Sequence, residues 1–419
     1  MTAAAPGPLA GDYVVGERQR WWFIPILIGS WFAVALVIAA MLGAAIPKSL
    51  TLLAPHEKDE NLAVIAAVGG VVIMTSTPLA GRLSDRTMSR WGMRKPWIAG
   101  GLAVGIAGVA VLAFAPDVAW LAVGWAVTQL GFGTVQMAQY VLLADQVPAR
   151  IRARVSGAVG IASGCATAAS VVIVAALPVD QRWSWFVVPG AIGVVLAALL
   201  LLGYRDAVRM EPPPSLTPRE VLGTYWLSPI RHRDFAWAWA SRFFMTMSVL
   251  TVSLYVFFLI VDELGYSAAE AGAVQASAVG LFLVGNIASA AVFGWLSDCI
   301  GRRKPIIWLS GLLSAVGIGI MMVTGDLGGF IAGITVAGIA QGAYIAVDVA
   351  LMTEVLPYAA DAGKDLGIVA LSYQLPQILG PLAVTACIAL SGGYVGLYVF
   401  AIVCSVLGGI AVIPIRGVR

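Results

Sequence analysis

Twelve apolar runs dominate this sequence, and each is about as long as the ~20 residues that a helix needs to cross a bilayer. Of the 419 residues 60% are hydrophobic and only 11% are charged, with a mean hydropathy of +0.91. So little charge cannot cover the surface of a soluble domain. The sequence therefore predicts an all-α integral membrane protein. The predicted transmembrane helices are 22–47, 62–80, 97–115, 119–144, 155–177, 184–203, 235–261, 268–293, 306–323, 330–353, 365–388 and 394–414.

Basic residues are spread unevenly over the loops between these runs. If the N-terminus lies inside, 21 of the 25 Lys and Arg fall on the side of the two termini, and Lys48, Lys58 and Arg182 fall on the other. Cytoplasmic loops are the ones enriched in Lys and Arg. We therefore expect a plasma (cell inner) membrane protein with both termini in the cytoplasm. A net charge of +3 does not suggest a nucleic-acid partner.

Two charged stretches interrupt the apolar sequence and resemble each other: GRLSDRTMSRWGMRKP at 81–96 and GWLSDCIGRRKP at 294–305. Their first glycines differ by 213 positions and their last prolines by 209, so the first copy holds a four-residue insertion. The prolines of LLADQVP and LMTEVLP also differ by 209. This register predicts two pseudo-symmetric six-helix bundles, 1–203 and 235–419, joined by a cytoplasmic loop at 204–234.

The repeated Gly-x-Leu-Ser-Asp, followed by Gly and a basic cluster after helices two and eight, resembles the signature loop of the major facilitator superfamily. The resemblance covers essentially the whole chain, and it implies a secondary transporter that works by alternating access, without a cofactor and without catalysis. The insertion, and GKDLGIVALSYQLPQILGP at 363–381, are also similar to glycoside–pentoside–hexuronide:cation symporters and sucrose:proton symporters. That similarity implies a sugar, a glycoside or a similar polar solute as the substrate.

In this superfamily the charged loops imply a relay that latches the cytoplasmic helix ends in one transport state. Either Arg90 or Arg94 is the counterpart of Arg302, because the insertion leaves their register open. The alternative is that these basic residues only set the topology and bind anionic headgroups. The predicted latch residues are Asp85, Arg86, Arg94, Asp145, Asp298, Arg302 and Glu354.

Two ionisable residues, Arg242 and Asp348, lie well within apolar runs, where a charge is costly. The repeat partner of Asp348 is Gln139, and the resemblance places helices one, four, seven and ten around a central cavity. We predict that Asp348 and Arg242 couple transport to protons. A static structural ion pair, or an Arg242 that extends to the interface, is the alternative.

Amide and aromatic side chains recur on the predicted cavity helices. Gln136, Gln139 and Tyr140 share one face of helix four, and Tyr344 and Asp348 share one of helix ten. Amides bind hydroxyls and aromatic rings cover the apolar face of a sugar, so the set suits a polyol; interhelical hydrogen bonding is the alternative. The predicted substrate-binding residues are Trp31, Gln136, Gln139, Tyr140, Tyr344, Tyr373, Gln374 and Gln377.

Two absences bear on the type of transport. Helix one has no acidic residue, so the sodium site that some melibiose-type symporters build from carboxylates of helices one and four is expected to be absent, and the proton is the predicted coupling ion. The four cysteines show no metal-ligand spacing, so no metal site is expected. Helix five has Gly160 and Gly164 without a following proline, which argues against a drug–proton antiporter. We predict a monomeric proton-coupled symporter; the alternatives are an efflux antiporter for amphipathic compounds and a non-transporting sensor or scramblase.

Overall fold

The computed structural model describes residues 13–14, 21–206, 208–209, 233–355 and 362–415. Within these ranges it confirms an all-α architecture of twelve helices. Eleven of them are long and apolar enough to cross a membrane, and the twelfth has 16 residues. The helices are α1 Phe23–Leu53, α2 Lys58–Asp85, α3 Lys95–Ala113, α4 Val118–Gln146, α5 Ala149–Ala176, α6 Ser184–Gly203, α7 Arg233–Asp262, α8 Ala268–Ile300, α9 Lys304–Thr324, α10 Leu327–Val355, α11 Ala362–Ser391 and α12 Val395–Ile410.

Helix α1 is longer than the sequence indicated, because it continues past 47 to Leu53. A π-helical turn at Met41–Ala45 interrupts it. Pro47 lies in the first turn of the segment that follows. A proline is tolerated there, because a first-turn residue does not need its N–H for a helical hydrogen bond. The proline therefore falls where the α-helical pattern restarts, and the span continues instead of ending.

The structure also shows one element that the sequence did not suggest. Tyr13–Val14 (β1) pairs antiparallel with Val208–Arg209 (β2). Each strand has two residues, so the fold class is unchanged.

Both copies of the repeated loop have a glycine with positive φ four residues before the proline that starts the next helix. Gly301 ends α8 with φ of +63°, a left-handed conformation that glycine adopts without strain. Pro305 then lies in the first turn of α9. In the first copy Gly92 has φ of +105°, and Pro96 lies in the first turn of α3. The two copies therefore share a turn that reverses the chain between helices.

The described residues form two compact units. The first unit comprises Met1–Met41, Val71–Ser170 and Leu177–Thr217, and the second comprises Leu42–Gly70, Val171–Ala176 and Pro218–Arg419, as far as these ranges are described. The predicted division at 1–203, 204–234 and 235–419 stays a prediction, and most of the connector lies outside the described residues.

The internal repeat is visible in which helices pack together inside each unit. In the first unit α3 packs against α4 and α6, and α1 packs against α4 and α6. In the second unit α9 packs against α10 and α12, and α7 packs against α10 and α12. Each pair recurs six helices later, as two copies of one folding unit require.

Small residues set the closest of these contacts. A Cβ on Gly131 of α4 would come within 2.3 Å of the backbone nitrogen of Gly105 on α3. In the second unit a Cβ on Gly333 of α10 would come within 2.4 Å of the carbonyl oxygen of Gly317 on α9. Close backbone approach through glycine is the usual way in which helices associate in lipid.

Candidate functional site

In the first unit, a polar contact joins α1 to α4 in the middle of the apolar sequence. Gln139 is fully buried, and its Nε2 donates to Ser30 Oγ over 3.1 Å. Gln139 Oε1 is buried and has no hydrogen-bond donor among the described residues. A buried amide oxygen left in this way costs free energy, so it is suited to accept a hydrogen bond from a bound molecule.

Two aromatic residues of the predicted binding set lie next to this amide in sequence and in space. The rings of Trp31 and Tyr140 meet edge to face, with centroids 4.5 Å apart. Trp31 is 6% exposed and its Nε1 has no acceptor among the described residues, whereas Tyr140 is 58% exposed. The structure thus brings Trp31, Gln139 and Tyr140 together, with half-buried Gln136 one turn earlier on α4.

Helix α4 carries a second pair of unsatisfied groups that the predicted binding set did not include. Trp125 Nε1 and Gln129 Oε1 are buried without a hydrogen-bond partner in the described part of the chain. They stand four residues apart and so share one face of α4. An amide and an indole at this spacing within a membrane helix are the signal that identifies them from the sequence.

In the second unit, Asp348 is held by two neighbours. Tyr344 donates its hydroxyl proton to Asp348 Oδ1 over 2.6 Å, and Arg242 Nη1 lies 3.4 Å from Asp348 Oδ2. The Asp348 side chain is 7% exposed and that of Arg242 is 24% exposed. The two ionisable residues that the sequence singled out therefore form one ion pair between α7 and α10.

Aromatic rings flank this ion pair along α7. The rings of Trp239 and Phe243 stack at 5.4 Å, and Phe243 meets Phe244 edge to face at 5.3 Å. Trp239, three positions before Arg242, shares a helix face with it, whereas Phe243 and Phe244, one and two positions after it, do not. The sequence analysis did not include this row in the site.

The remaining predicted ligands lie on α11. Tyr373 is exposed. Gln374 and Gln377 are half-buried, and no hydrogen bond to either side chain is seen among the described residues. On α10, Gln341 lies one turn before Tyr344, and its Oε1 is buried without a partner in the described structure.

A second cluster lies at the predicted cytoplasmic end of the first unit, in the loop after α2. Arg94 is 7% exposed; its guanidinium bonds Asp85, donates to Ser84 Oγ over 2.7 Å and lies 3.9 Å from Asp145. One arginine thus connects α2 with α4. Arg94, rather than Arg90, occupies the position that the predicted latch requires.

Charge and burial act in opposite directions on Asp145. Burial raises the pKa of its carboxyl above the ordinary value, the positive charge of Arg94 lowers it, and the negative charge of Asp85 raises it again. The carboxyl therefore takes up a proton at a higher pH than a free aspartate does.

Asp206, which the sequence analysis did not single out, fixes the position of Arg94. Asp206 Oδ2 accepts hydrogen bonds from the backbone N–H groups of Arg94 (2.6 Å) and Lys95 (2.7 Å). A carboxylate at the start of α3 also complements the helix dipole. Gly92 permits the approach, because a Cβ there would lie 2.3 Å from the Asp206 side chain.

The other predicted latch residues are less fully described. Arg86 is half-buried and Arg302 is exposed. The side chains of Asp298 and Glu354 lie outside the described part of the structure, so the latch of the second half stays a prediction.

A third polar cluster lies at the opposite end of the helices, inside the second unit, and the sequence analysis missed it. The Tyr394 hydroxyl lies 2.6 Å from Asp262 Oδ2 and 3.0 Å from Asp59 Oδ1. Lys58 bonds Asp262 and lies 5.2 Å from the Phe258 ring centroid. The cluster holds the start of α2 to the end of α7. In the sequence these charges look like solvated helix ends, and only the fold brings them together.

Comparison with known proteins relates this geometry to a family. The sequence profile of the Major Facilitator Superfamily matches residues 30–285 and 274–418. No curated protein sequence matches the chain.

Solved structures with the same fold include two transporters. A bacterial homologue of the human lysosomal transporter Spinster, in its inward-facing and unoccupied conformation, has a TM-score of 0.68 and 15% identity over 93% of this chain and 95% of that one. The nucleoside transporter NupG, in a point-mutant form, has a TM-score of 0.70 and 10% identity over 94% of this chain and 99% of that one. At such identities the likeness shows the fold. From the profile match, the chain belongs to the major facilitator superfamily and is a multi-pass membrane transporter of the secondary kind, not an enzyme.

Proposed function

We propose that this protein is a proton-coupled symporter for a sugar, a glycoside or a similar small polar solute. The observation that carries the proposal is the buried Asp348, bonded to Tyr344 and Arg242. In lipid an ionisable residue with named partners is a functional-site hypothesis by default. Proton loading on Asp348 would release Arg242, and proton loss would restore the pair.

The polar solute is proposed from the groups left without partners. Gln139 Oε1 and Trp31 Nε1 in the first unit, and Gln341 Oε1 in the second, offer two acceptors and one donor from buried positions. Hydroxyl groups both donate and accept, so a polyol can bond to groups of both kinds. Tyr140 and Tyr373 offer exposed rings for the apolar face of a sugar. The resemblance to sugar–cation symporters supports the same class.

The orientation belongs to the proposal as well. The distribution of Lys and Arg supports a plasma (cell inner) membrane protein with both termini and the loop after α2 in the cytoplasm. A monomer in the lipid bilayer is sufficient for the proposed mechanism.

The experiment is proton-driven uptake into proteoliposomes, after a thermal-shift screen has identified a binding sugar. Asp348→Asn should abolish accumulation under an imposed pH gradient and preserve counterflow exchange, because exchange needs no net proton movement. Asp326→Asn is the matched control, since Asp326 lies in an exposed turn where Asn can accept the same bond from the Gly329 N–H. Full accumulation by Asp348→Asn would refute proton coupling through this residue.

A second candidate function, efflux of an amphipathic compound by antiport, is favoured by one observation. The aromatic row of Trp239, Phe243 and Phe244 on α7 suits a flat apolar ligand more than a polyol. The direction of substrate movement under the same pH gradient distinguishes the two functions.

A further inference from the structure

Helix α1 leaves one backbone carbonyl without its helical donor. In a regular α-helix the N–H of residue 47 would donate to the carbonyl of Gly43, four residues earlier, but Pro47 has no N–H. Gly43 lies in the π turn Met41–Ala45. A carbonyl without a donor inside an apolar helix costs free energy, so another group has to supply the hydrogen bond.

The donor comes from α8, in the same compact unit. Gln275 Nε2 donates to the carbonyl oxygen of Gly43 over 2.8 Å. The side chain of Gln275 is buried, and its neighbours on the same face of α8, Ala271 and Ala278, are fully buried as well. Because these neighbours are small, the amide of Gln275 can reach the backbone of α1. A side chain of one membrane helix thus completes the backbone hydrogen bonding of another.

We propose that Gln275 is a clamp that anchors the last segment of α1, Ile46–Leu53, on α8, and that α1 bends at the π turn before this segment. Residues 46–50 of the segment are all buried, and the segment also contacts α7. The division between the two compact units falls in the same turn, between Met41 and Leu42. The inference does not depend on the proposed substrate or coupling ion.

The irregular turn is not a requirement of the repeated fold. The counterpart of α1 in the second half is α7, which is an uninterrupted α-helix over Arg233–Asp262 and contains no proline. Bends in helices occur at prolines and at π turns, and π turns are frequent at functional sites. Ser30 and Trp31 of the candidate site precede the turn in α1. A bend there would move these two residues while the last segment stays on α8.

The test is hydrogen–deuterium exchange of the purified full chain in detergent, followed by mass spectrometry of peptides that cover α1. In the wild type, amides of the π turn should exchange faster than those of the last segment. Gln275→Met keeps the length of the side chain and removes the donor, so exchange in the last segment should become about five- to thirtyfold faster. Peptides of α3 and α4 should be unchanged.

A second substitution shows whether the carbonyl of Gly43 is the target of the clamp. Adding Pro47→Ala to Gln275→Met should return exchange close to the wild-type rate, because the restored N–H of position 47 can donate to that carbonyl. Gly43→Ala is the matched control: it keeps the carbonyl, its Cβ meets nothing within 4 Å, and wild-type exchange is expected.

Three results would overturn the proposal. Unchanged exchange in Gln275→Met would mean that the hydrogen bond holds nothing, and equal acceleration with and without Pro47→Ala would assign Gln275 to packing. Uniform exchange along α1 in the wild type would contradict a bend at the π turn. If Gln275→Met alone does not fold, recovery of folded protein in the double variant supports the clamp, and failure of both variants contradicts it.

Discussion

Arg242 and Asp348 face each other between α7 and α10, with 3.4 Å between Nη1 and Oδ2. Asp348 is the repeat partner of Gln139, and Gln139 bonds Ser30 of α1. Each half of the chain thus has a polar contact between its first and fourth helices. The contact in the first half joins two neutral groups, and the contact in the second half joins two ionisable groups. Of these two contacts, only the one in the second half can therefore change its protonation state.

Single and double variants of this pair distinguish a coupling site from a static ion pair. Removing one partner of a buried pair costs roughly 3–5 kcal/mol, and the partly exposed Arg242 should bring the cost toward the lower end. Arg242→Gln or Asp348→Asn alone should therefore lower the melting temperature more than the two together do. Proton-driven accumulation should stay lost in the double variant; its return there would identify a purely structural pair.

Trp31→Phe tests the contact between α1 and α4. The phenyl ring keeps the edge-to-face packing on Tyr140 but removes the buried Nε1 donor. A lost hydrogen bond of roughly 0.5–1.5 kcal/mol corresponds to a KM for uptake that is about two- to tenfold higher, with the melting temperature unchanged. Trp21→Phe, at an 83% exposed position, should leave KM unaltered. A stability loss without a KM change in Trp31→Phe would assign the indole to packing.

Gly131→Ala tests the close contact of α3 with α4. Its Cβ would meet backbone at 2.3 Å, so we expect a loss of stability of at least about 1–3 kcal/mol. Gly100→Ala is the control on α3, since its Cβ meets nothing within 4 Å and should be neutral or stabilising by up to ~1 kcal/mol. Thermal unfolding of both variants in the same detergent gives the comparison, and equal melting temperatures would contradict it.

Asp145→Asn tests the pH dependence of the latch. Because the pKa of Asp145 is raised on folding, its ionised form destabilises the folded state, by a small amount since the side chain is 44% exposed and screened by solvent. This penalty grows as pH rises through the ordinary and then the raised pKa. The neutral asparagine should therefore raise the melting temperature at neutral pH, and the gain should vanish as pH falls below both pKa values. A lower melting temperature of Asp145→Asn at neutral pH would mean that Arg94 outweighs the burial cost.

Tyr394→Phe tests the cluster at the start of α2. The hydroxyl contacts both Asp59 and Asp262, so its loss should cost about 1–3 kcal/mol. The cost should shrink in an Asp262→Asn background, where one of the two carboxylates is already neutral. Tyr266→Phe is the control. Additive losses in the double variant would show that Tyr394 and Asp262 do not interact.

The sequence was sufficient for the architecture because the bilayer imposes a strong pattern. Runs of apolar residues define membrane helices whatever surrounds them, so twelve helices and the repeated loop were predicted correctly. Helix ends were less certain: α1 continues through Pro47 to Leu53 because a π turn accommodates the proline. Local pattern does not show whether a proline ends a helix or follows an irregular turn.

The candidate site was partly predictable for a related reason. A charge in an apolar run stands out, so Arg242 and Asp348 were both found from the sequence, but their contact depends on how α7 packs against α10. Asp206 was missed because a carboxylate just after a helix looks solvated until the fold brings it to the N–H groups of Arg94 and Lys95, more than a hundred residues away.

The sequence by itself determined that this chain crosses a membrane, how many helices it has and that its halves repeat, because burial in lipid is a property of each segment. Only the tertiary structure decided which charges are partners. It assigned Arg94 rather than Arg90 to Asp85 and Asp145, and it joined Lys58, Asp59 and Asp262 through Tyr394. Hydrogen bonds and ion pairs form only where the partner atoms lie within about 3–4 Å, so they depend on distances that sequence spacing does not specify.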